Sequence, residues 1–422
     1  MPFVKLDDAA EPCNKLDKLY HETKRAIELT KKFIADRGLI CYGGTALDYA
    51  SRLAGSKIYD DSKLDLPDLD FYSSDPVKDA RDLADILFQN GFQQARQIKA
   101  FHVGTMRVDC GENHFVADVS YCPILSEIKT LTYESFLIVD PIYQRIDMHS
   151  SLSFPYDNAP REVIFDRWKK DTERFNIINA LYPIVPENKS PHIKEKTSSK
   201  TTTEIQPTEG PYVYAGQIAY NSLASETPTK DVDVIELCSM DPHDTAQLAG
   251  LDVISVYEQY FNLLPEMYFC TNPGNGKKYI IYSTEDKLLS YESREIANKK
   301  YRVVCGNYVL KIFLGWLLVT QTNRVSWPWK PDYCADTKDI RSMYTDLLSK
   351  VRLSIKVYGT DNIGHTTLIQ LEELENRVTN NAKYITEFPL PDSYKASTKN
   401  RVGEPFEYRS NPLLCISGII KP

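Results

Sequence analysis

Apolar positions along the first part of the chain change period several times. Leu16, Leu19, Tyr20, Ile27, Leu29 and Phe33 recur near helical spacing, so residues 14–36 predict an amphipathic helix. The short apolar run GLICY at 38–42 predicts a buried strand that ends on a glycine pair. Residues 45–53 predict a helix stopped by Gly55, and residues 66–72 a strand. Residues 76–90 predict a further helix, capped by Gly91. Residues 98–108 and 114–119 predict two strands joined by a turn at Cys110-Gly111-Glu112-Asn113. A short helix at 124–128 and a strand at 135–139 complete this region.

The pattern then shifts. Residues 161–183, REVIFDRWKKDTERFNIINALYP, form a strong amphipathic helix signal. Residues 186–211 hold KEKTSSKTTTE and almost no large apolar side chain, so they cannot bury enough surface to offset their ordering entropy. Beyond them, residues 278–283 predict an aromatic-rich strand, and 301–321 and 336–358 predict long helices. The organisation expected is a catalytic domain over 1–150 with an N-terminal helix, a connecting helix over 151–185, a flexible loop over 186–211 and a C-terminal domain over 212–422. No internal repeat is visible in the sequence. The fold class is α+β: a small mixed sheet flanked by helices, followed by a second domain that also mixes helices and strands.

Composition narrows the picture only a little. The chain has 422 residues, room for two or three domains, and a net charge of −8. That charge argues against a wholly basic nucleic-acid coat but leaves room for a local basic groove. Its nine cysteines are odd in number and contain no Cys-x-x-Cys pair, which argues against a disulfide framework and against a zinc site. A reducing compartment such as cytosol fits best. The N-terminal residues are no secretory signal, and the apolar run at 308–320 is interrupted by Lys311 and too short for a bilayer. No membrane association is expected.

The candidate chemistry lies in the first domain. Gly43-Gly44-Thr45 sits between a predicted strand and a predicted helix, where backbone N–H groups and the helix dipole favour an anion such as a triphosphate. Asp68 and Asp70 lie two apart in LPDLDFY; on a strand they share a face while Leu69 and Phe71 point to the core. Two carboxylates so close repel unless cations lie between them, and magnesium suits such hard oxygen ligands. The plain alternative is an acidic surface loop, since Asp60, Asp61 and Asp65 lie just upstream. Asp118, inside the apolar strand HFVADVSY, is the sharper signal, because a carboxylate there is expensive unless paired or metal-bound. The plain alternative is a strand-end cap. His102, Thr105 and Arg107 precede it, and Thr105 and Arg107 share a strand face that borders either the cleft or solvent. Arg167, Lys169, Lys170 and Arg174 form a basic cluster, interleaved with Asp166, Asp171 and Glu173 as a solvated helix face would be. Lys277-Lys278 and Lys299-Lys300-Tyr301-Arg302 are further RNA candidates, with tyrosines able to stack on bases.

Taken together, YGGTALDYA, LPDLDFYS, FHVGTMRV and FVADVSYCP resemble the poly(A) polymerase catalytic subunits of large eukaryotic DNA viruses, within the DNA polymerase β nucleotidyltransferase superfamily. The asfarvirus type is most similar, with mimivirus-like and poxvirus enzymes more distant. The likeness continues through residues 143–184 and covers about the first 185 residues well. One departure is the long spacing from Gly44 to Asp68, which an insertion around 56–65 would absorb. The resemblance implies a polymerase-β-like nucleotidyltransferase domain and transfer of adenylate from ATP to an mRNA 3′ end without a template. It further implies two Mg2+ or Mn2+ ions held by Asp68, Asp70 and Asp118, which become the catalytic residues. Gly43, Gly44 and Thr45 become the triphosphate loop. Apart from the resemblance, Arg107 by its strand face and Lys169 by its basic cluster are candidate nucleotide contacts. Partners implied are the RNA 3′ end, ATP, and either a second copy of the chain or a separate processivity subunit. The location implied is host cytoplasm at the viral factory, with packaging in the virion as an alternative. Rival functions are a terminal uridylyltransferase, a silent RNA-binding homologue acting as a processivity partner, and a small-molecule nucleotidyltransferase.

Overall fold

The computed structural model describes residues 6–59, 66–100, 104–111, 115–154, 164–186, 212–224, 232–284, 289, 291–296, 299–322, 325–351 and 420–421. The chain divides into two compact units, Met1–Gln144 and Arg145–Pro422.

The first unit opens with the long helix α1 (Leu6–Arg37), then β1 (Ile40–Tyr42), α2 (Gly43–Leu53), β2 (Leu69–Ser73) and α3 (Pro76–Gln89). The strands β3 (Arg96–Lys99), β4 (Thr105–Asp109), β5 (Phe115–Tyr121), β6 (Thr130–Tyr133) and β7 (Phe136–Val139) follow. They build a seven-stranded mixed sheet in the order β3-β4-β5-β2-β1-β7-β6. Alternation along β2 fixes its two faces. Leu69 and Phe71 are buried on one, where Phe71 meets Phe33 of α1 with ring centroids 6.1 Å apart. Asp70 stands on the other face. Asp75 caps α3 by accepting from the Lys78 N–H, with Pro76 at the first helical position.

After α4 (Pro141–Ser153) and α5 (Ile164–Leu181) come β8 (Val213–Tyr214), α6 (Gly216–Ala224), β9 (Val234–Ser239) and α7 (Pro242–Leu248). The strands β10 (Asp252–Tyr257), β11 (Met267–Thr271), β12 (Lys278–Ser283), β13 (Tyr291–Ile296) and β14 (Lys299–Val304) precede α8 (Gly306–Thr322), α9 (Thr337–Lys350) and the short β15 (Ile420–Lys421). This second sheet runs β13-β14-β8-β9-β12-β11-β10-β15.

The two sheets are built to one plan. Replacing β1 through β7 by β8 through β14 in chain order reproduces the strand order, with β15 added at one edge. The pairings also match. The first two strands are antiparallel, the second pairs parallel with the fifth, and the first pairs parallel with the seventh. A helix follows the first strand, another the second, and a third the seventh, in each copy. The internal repeat that the sequence does not display is therefore present in the backbone.

Several predicted boundaries are corrected. The strand expected over 98–108 is two, β3 and β4, with Gly104 at φ 78 between them. The helix expected from 301 begins only at Gly306, because residues 301–304 are paired in β14. The short helix expected at 124–128 is a turn, and β6 and α4 were not predicted. His102 and residues 187–211 of the predicted loop lie outside the described residues.

Candidate active site

The site is assembled by strand register. Tyr42 at the end of β1 is opposite Asp70 on β2, Asp70 is opposite Asp118 on β5, and Asp118 is opposite Arg107 on β4. Side chains in register on neighbouring strands share a face, so Asp70, Asp118 and Arg107 form one row. Asp68, two residues before Asp70, is exposed just ahead of β2. A second row lies two residues along, where Ser120 shares hydroxyl hydrogen bonds of 2.7 Å with both Tyr42 and Thr105. The Tyr42 ring stacks on Tyr72 at 4.2 Å between centroids. Ser120 and Tyr42 were not singled out in the sequence; Ser120 was legible only through its i+2 relation to Asp118.

Helix α2 starts directly from β1. Its first turn carries no acidic side chain, and Tyr42 at the N-cap gives no side-chain hydrogen bond. The start of a helix is where backbone N–H groups and the helix dipole favour an anion. Gly43 has φ 71, and a Cβ there would fall 2.1 Å from Asp70 Oδ2. The glycine thus makes room for the carboxylate as well as for any approaching phosphate. Thr45 donates its hydroxyl to the Asp68 carbonyl at 2.9 Å, tying the start of α2 to the segment that enters β2.

Asp118 is turned toward Arg107. The guanidinium Nε and Nη2 donate to its two oxygens at 2.6 Å each, a bidentate pair. The hydrogen bond to Asp118 raises the Arg107 pKa above its ordinary value against the opposing effect of burial, with the charges of Asp118, Asp68 and Asp70 adding to it. One guanidinium therefore senses all three carboxylates. It also lies 4.5 Å from the centroid of the Phe115 ring. Among the described residues, no three His, Cys, Asp or Glu side chains are gathered tightly enough to hold an ion by themselves. The chemistry of the donor set nevertheless fits a hard divalent cation: Asp70 beside Asp118 in register, with the Asp68 carboxylate two residues ahead. The upstream Asp48 is a different case, since it accepts from the Ile58 and Tyr59 N–H groups and from Arg52, and so braces a loop.

The second unit keeps only part of this arrangement. Gly216, at φ 52, occupies the place of Gly43, and Glu236 that of Asp70; a Cβ on Gly216 would lie 1.7 Å from Glu236 Oε2. Glu236 is buried and accepts from Tyr282 at 2.7 Å, Tyr333 at 2.6 Å and the Gln217 N–H at 3.1 Å. Val234 and Ile280 stand where Asp68 and Asp118 would be. The other nominated cations also fall in this unit. Lys169 is in α5, Lys277 donates to the Val232 carbonyl, and Lys278 lies 5.7 Å from the Trp329 ring centroid.

Comparison with known proteins finds relatives of this chain. A family model described as "Poly(A) polymerase catalytic subunit" matches residues 28–158. A provisionally named poly(A) polymerase catalytic subunit of African swine fever virus (strain Badajoz 1971 Vero-adapted) is 34% identical over 334 residues, covering 72% of this chain and 68% of that protein. A counterpart in Acanthamoeba polyphaga mimivirus is 29% identical over 188 residues, 44% of this chain and 31% of its own. The crystal structure of the Megavirus polyadenylate synthase aligns with a TM-score of 0.60 at 17% identity, covering 100% of this chain and 93% of that one, a likeness of fold. Among the described residues no helix is long and apolar enough to cross a membrane. By its sequence relatives, the chain belongs to the poly(A) polymerase catalytic subunit family.

Proposed function

We propose that the chain is a template-independent polynucleotide adenylyltransferase that extends mRNA 3′ ends with adenylate from ATP. The observation that carries this reading is the register that sets Asp70 beside Asp118, two residues from Asp68, with Asp70 against Gly43 at the start of α2. Family membership supplies the reaction class.

In this reading, the first-turn N–H groups of α2 and the Gly43-Gly44 backbone receive the triphosphate. Asp68, Asp70 and Asp118 are the residues that would hold divalent cations, Mg2+ or Mn2+. Bound there, such ions would supply positive charge at the α-phosphate and lower the pKa of the attacking hydroxyl. Asp118, in the same row, would accept the proton of the RNA 3′-hydroxyl as it attacks. The Thr45 bond to the Asp68 carbonyl and the Tyr42–Ser120–Thr105 hydroxyl chain hold this row in place. The bulk of the second unit, with a sealed Glu236, leaves a single transfer centre per chain. Its roles would be in holding RNA, a second copy of the chain or a processivity subunit, in host cytoplasm.

The test is extension of a labelled RNA primer with each nucleoside triphosphate separately. Tails with ATP alone support the reading. Tails with UTP would keep the site and replace the substrate, and no tails with any nucleotide, with or without a processivity subunit, would oppose it.

A further inference from the structure

The second unit carries the same row with different residues. Phe269 faces Ile280 there, in the two positions that Arg107 and Asp118 hold in the first unit. The arginine and the aspartate are present together in one copy and absent together in the other. The carboxylate that the second copy keeps, Glu236, is satisfied by two tyrosine hydroxyls and a backbone N–H. In the first unit Asp70 and Asp118 are neighbours in register, with Asp68 two residues ahead, and Arg107 in the same row is bidentate on Asp118. Neighbouring like charges raise the energy of a site unless positive charge lies among them.

We propose that Arg107 is the resident cation of this cluster: it holds Asp118 in the ion-free chain and competes with the divalent ion for that carboxylate. The proposal rests on the assignment of Asp68, Asp70 and Asp118 as metal ligands. Both Asp118 oxygens accept charge-assisted hydrogen bonds from Arg107, so an ion that takes Asp118 must displace at least one of them. Affinity for the bare ion is lowered accordingly. Phosphate oxygens arriving with the nucleotide add ligands that shift the balance, so ion loading is coupled to nucleotide binding. Arg107 is in this sense a positioning residue, acting through Asp118.

The experiment is a Mn2+ titration of the full chain, with free Mn2+ read by electron paramagnetic resonance and no nucleotide present. Wild type is compared with Arg107→Gln, Arg107→Lys and the double variant Asp68→Asn/Asp70→Asn, and each is melted in chelator and in Mn2+. Arg107→Gln is expected to bind Mn2+ about tenfold or more tightly than wild type, the scale of one lost charge-assisted hydrogen bond. It is also expected to melt lower in chelator and to gain more from Mn2+. Arg107→Lys, a point charge without the planar fork, should fall between them and provides the test should the glutamine variant not fold. Mn2+ affinity unchanged or weakened in both variants, or no Mn2+ binding in any protein, overturns the proposal. Mn2+ binding that persists in Asp68→Asn/Asp70→Asn instead overturns the ligand assignment, so the two failures are distinct.

Discussion

Gly43 leaves no room for a side chain, because the space a Cβ would fill is taken by Asp70. Gly43→Ala must therefore push the carboxylate aside and also strain a backbone at φ 71. A displacement of about 1 Å at a reacting group costs on the order of 100-fold in rate. Adenylate transfer by Gly43→Ala should fall by about that factor, while the strain at positive φ destabilises the fold by roughly 1 kcal/mol. Primer-extension rates alongside chemical denaturation check it, and wild-type transfer would show that Asp70 tolerates the move. At this scale the sequence was partly legible. The types and order of Gly43, Asp68, Asp70 and Asp118 marked a candidate site, since few folds need those residues in that order. The bond from Arg107 to Asp118 was not legible, because strand register is set by long-range pairing and no local pattern encodes it.

Among elements, α2 carries the most consequence. Its start lies at the site, and its first two turns are anchored by Thr45 to the Asp68 carbonyl and by Asp48 to the loop that follows. Asp48 is buried, accepts two backbone N–H groups, and pairs with Arg52 at 2.6 Å. Removing it in Asp48→Ala leaves those donors without their acceptor, so destabilisation of roughly 2–4 kcal/mol is expected. A denaturation midpoint indistinguishable from wild type would contradict this role. Asp48 escaped the sequence reading because a helical aspartate facing solvent and one bracing a loop look alike in one dimension. The helix expected from residue 301 failed for a related reason. YRVV continues directly into a long apolar helix, and only the partner strand β13 shows where pairing stops. Of the elements that were read well, α3 has a strong cap and β12 is a run of aromatic and β-branched residues.

Across the whole molecule, the duplicated topology went unseen because the two copies have lost their shared residues where it matters most. Val234, Glu236 and Ile280 replace the three aspartates. Burial of Glu236 pushes its pKa up to about 7, against the pull of Tyr333, Tyr282 and the Gln217 N–H. Burial likewise raises Asp147 to about 7, against its hydrogen bond from Asn262 and the charge of Lys311. Both groups hold a proton in the folded chain that an unfolded carboxylate, with a pKa of about 4, has released. Their contribution to stability is full below the unfolded value and is lost as pH rises through about 7. Buried His149 works in the opposite sense, its pKa lowered to about 3 by burial, so its contribution is lost as pH falls from its ordinary value. Two carboxylates outweigh one imidazole, and the second unit should lose stability between about pH 5 and 7. All four tryptophans belong to that unit, so urea unfolding followed by their fluorescence isolates it. Asp147→Asn should flatten the slope, and an unchanged slope would contradict the assignment.

The central claim is that one aspartate cluster in the first unit transfers adenylate to RNA. Its most direct test is primer extension by purified chain with ATP and Mg2+ or Mn2+, wild type beside Asp68→Asn/Asp70→Asn. The account predicts long tails from wild type and none from the double variant, with both proteins melting normally in chelator. Tails of equal length from the two would place the chemistry elsewhere and contradict it.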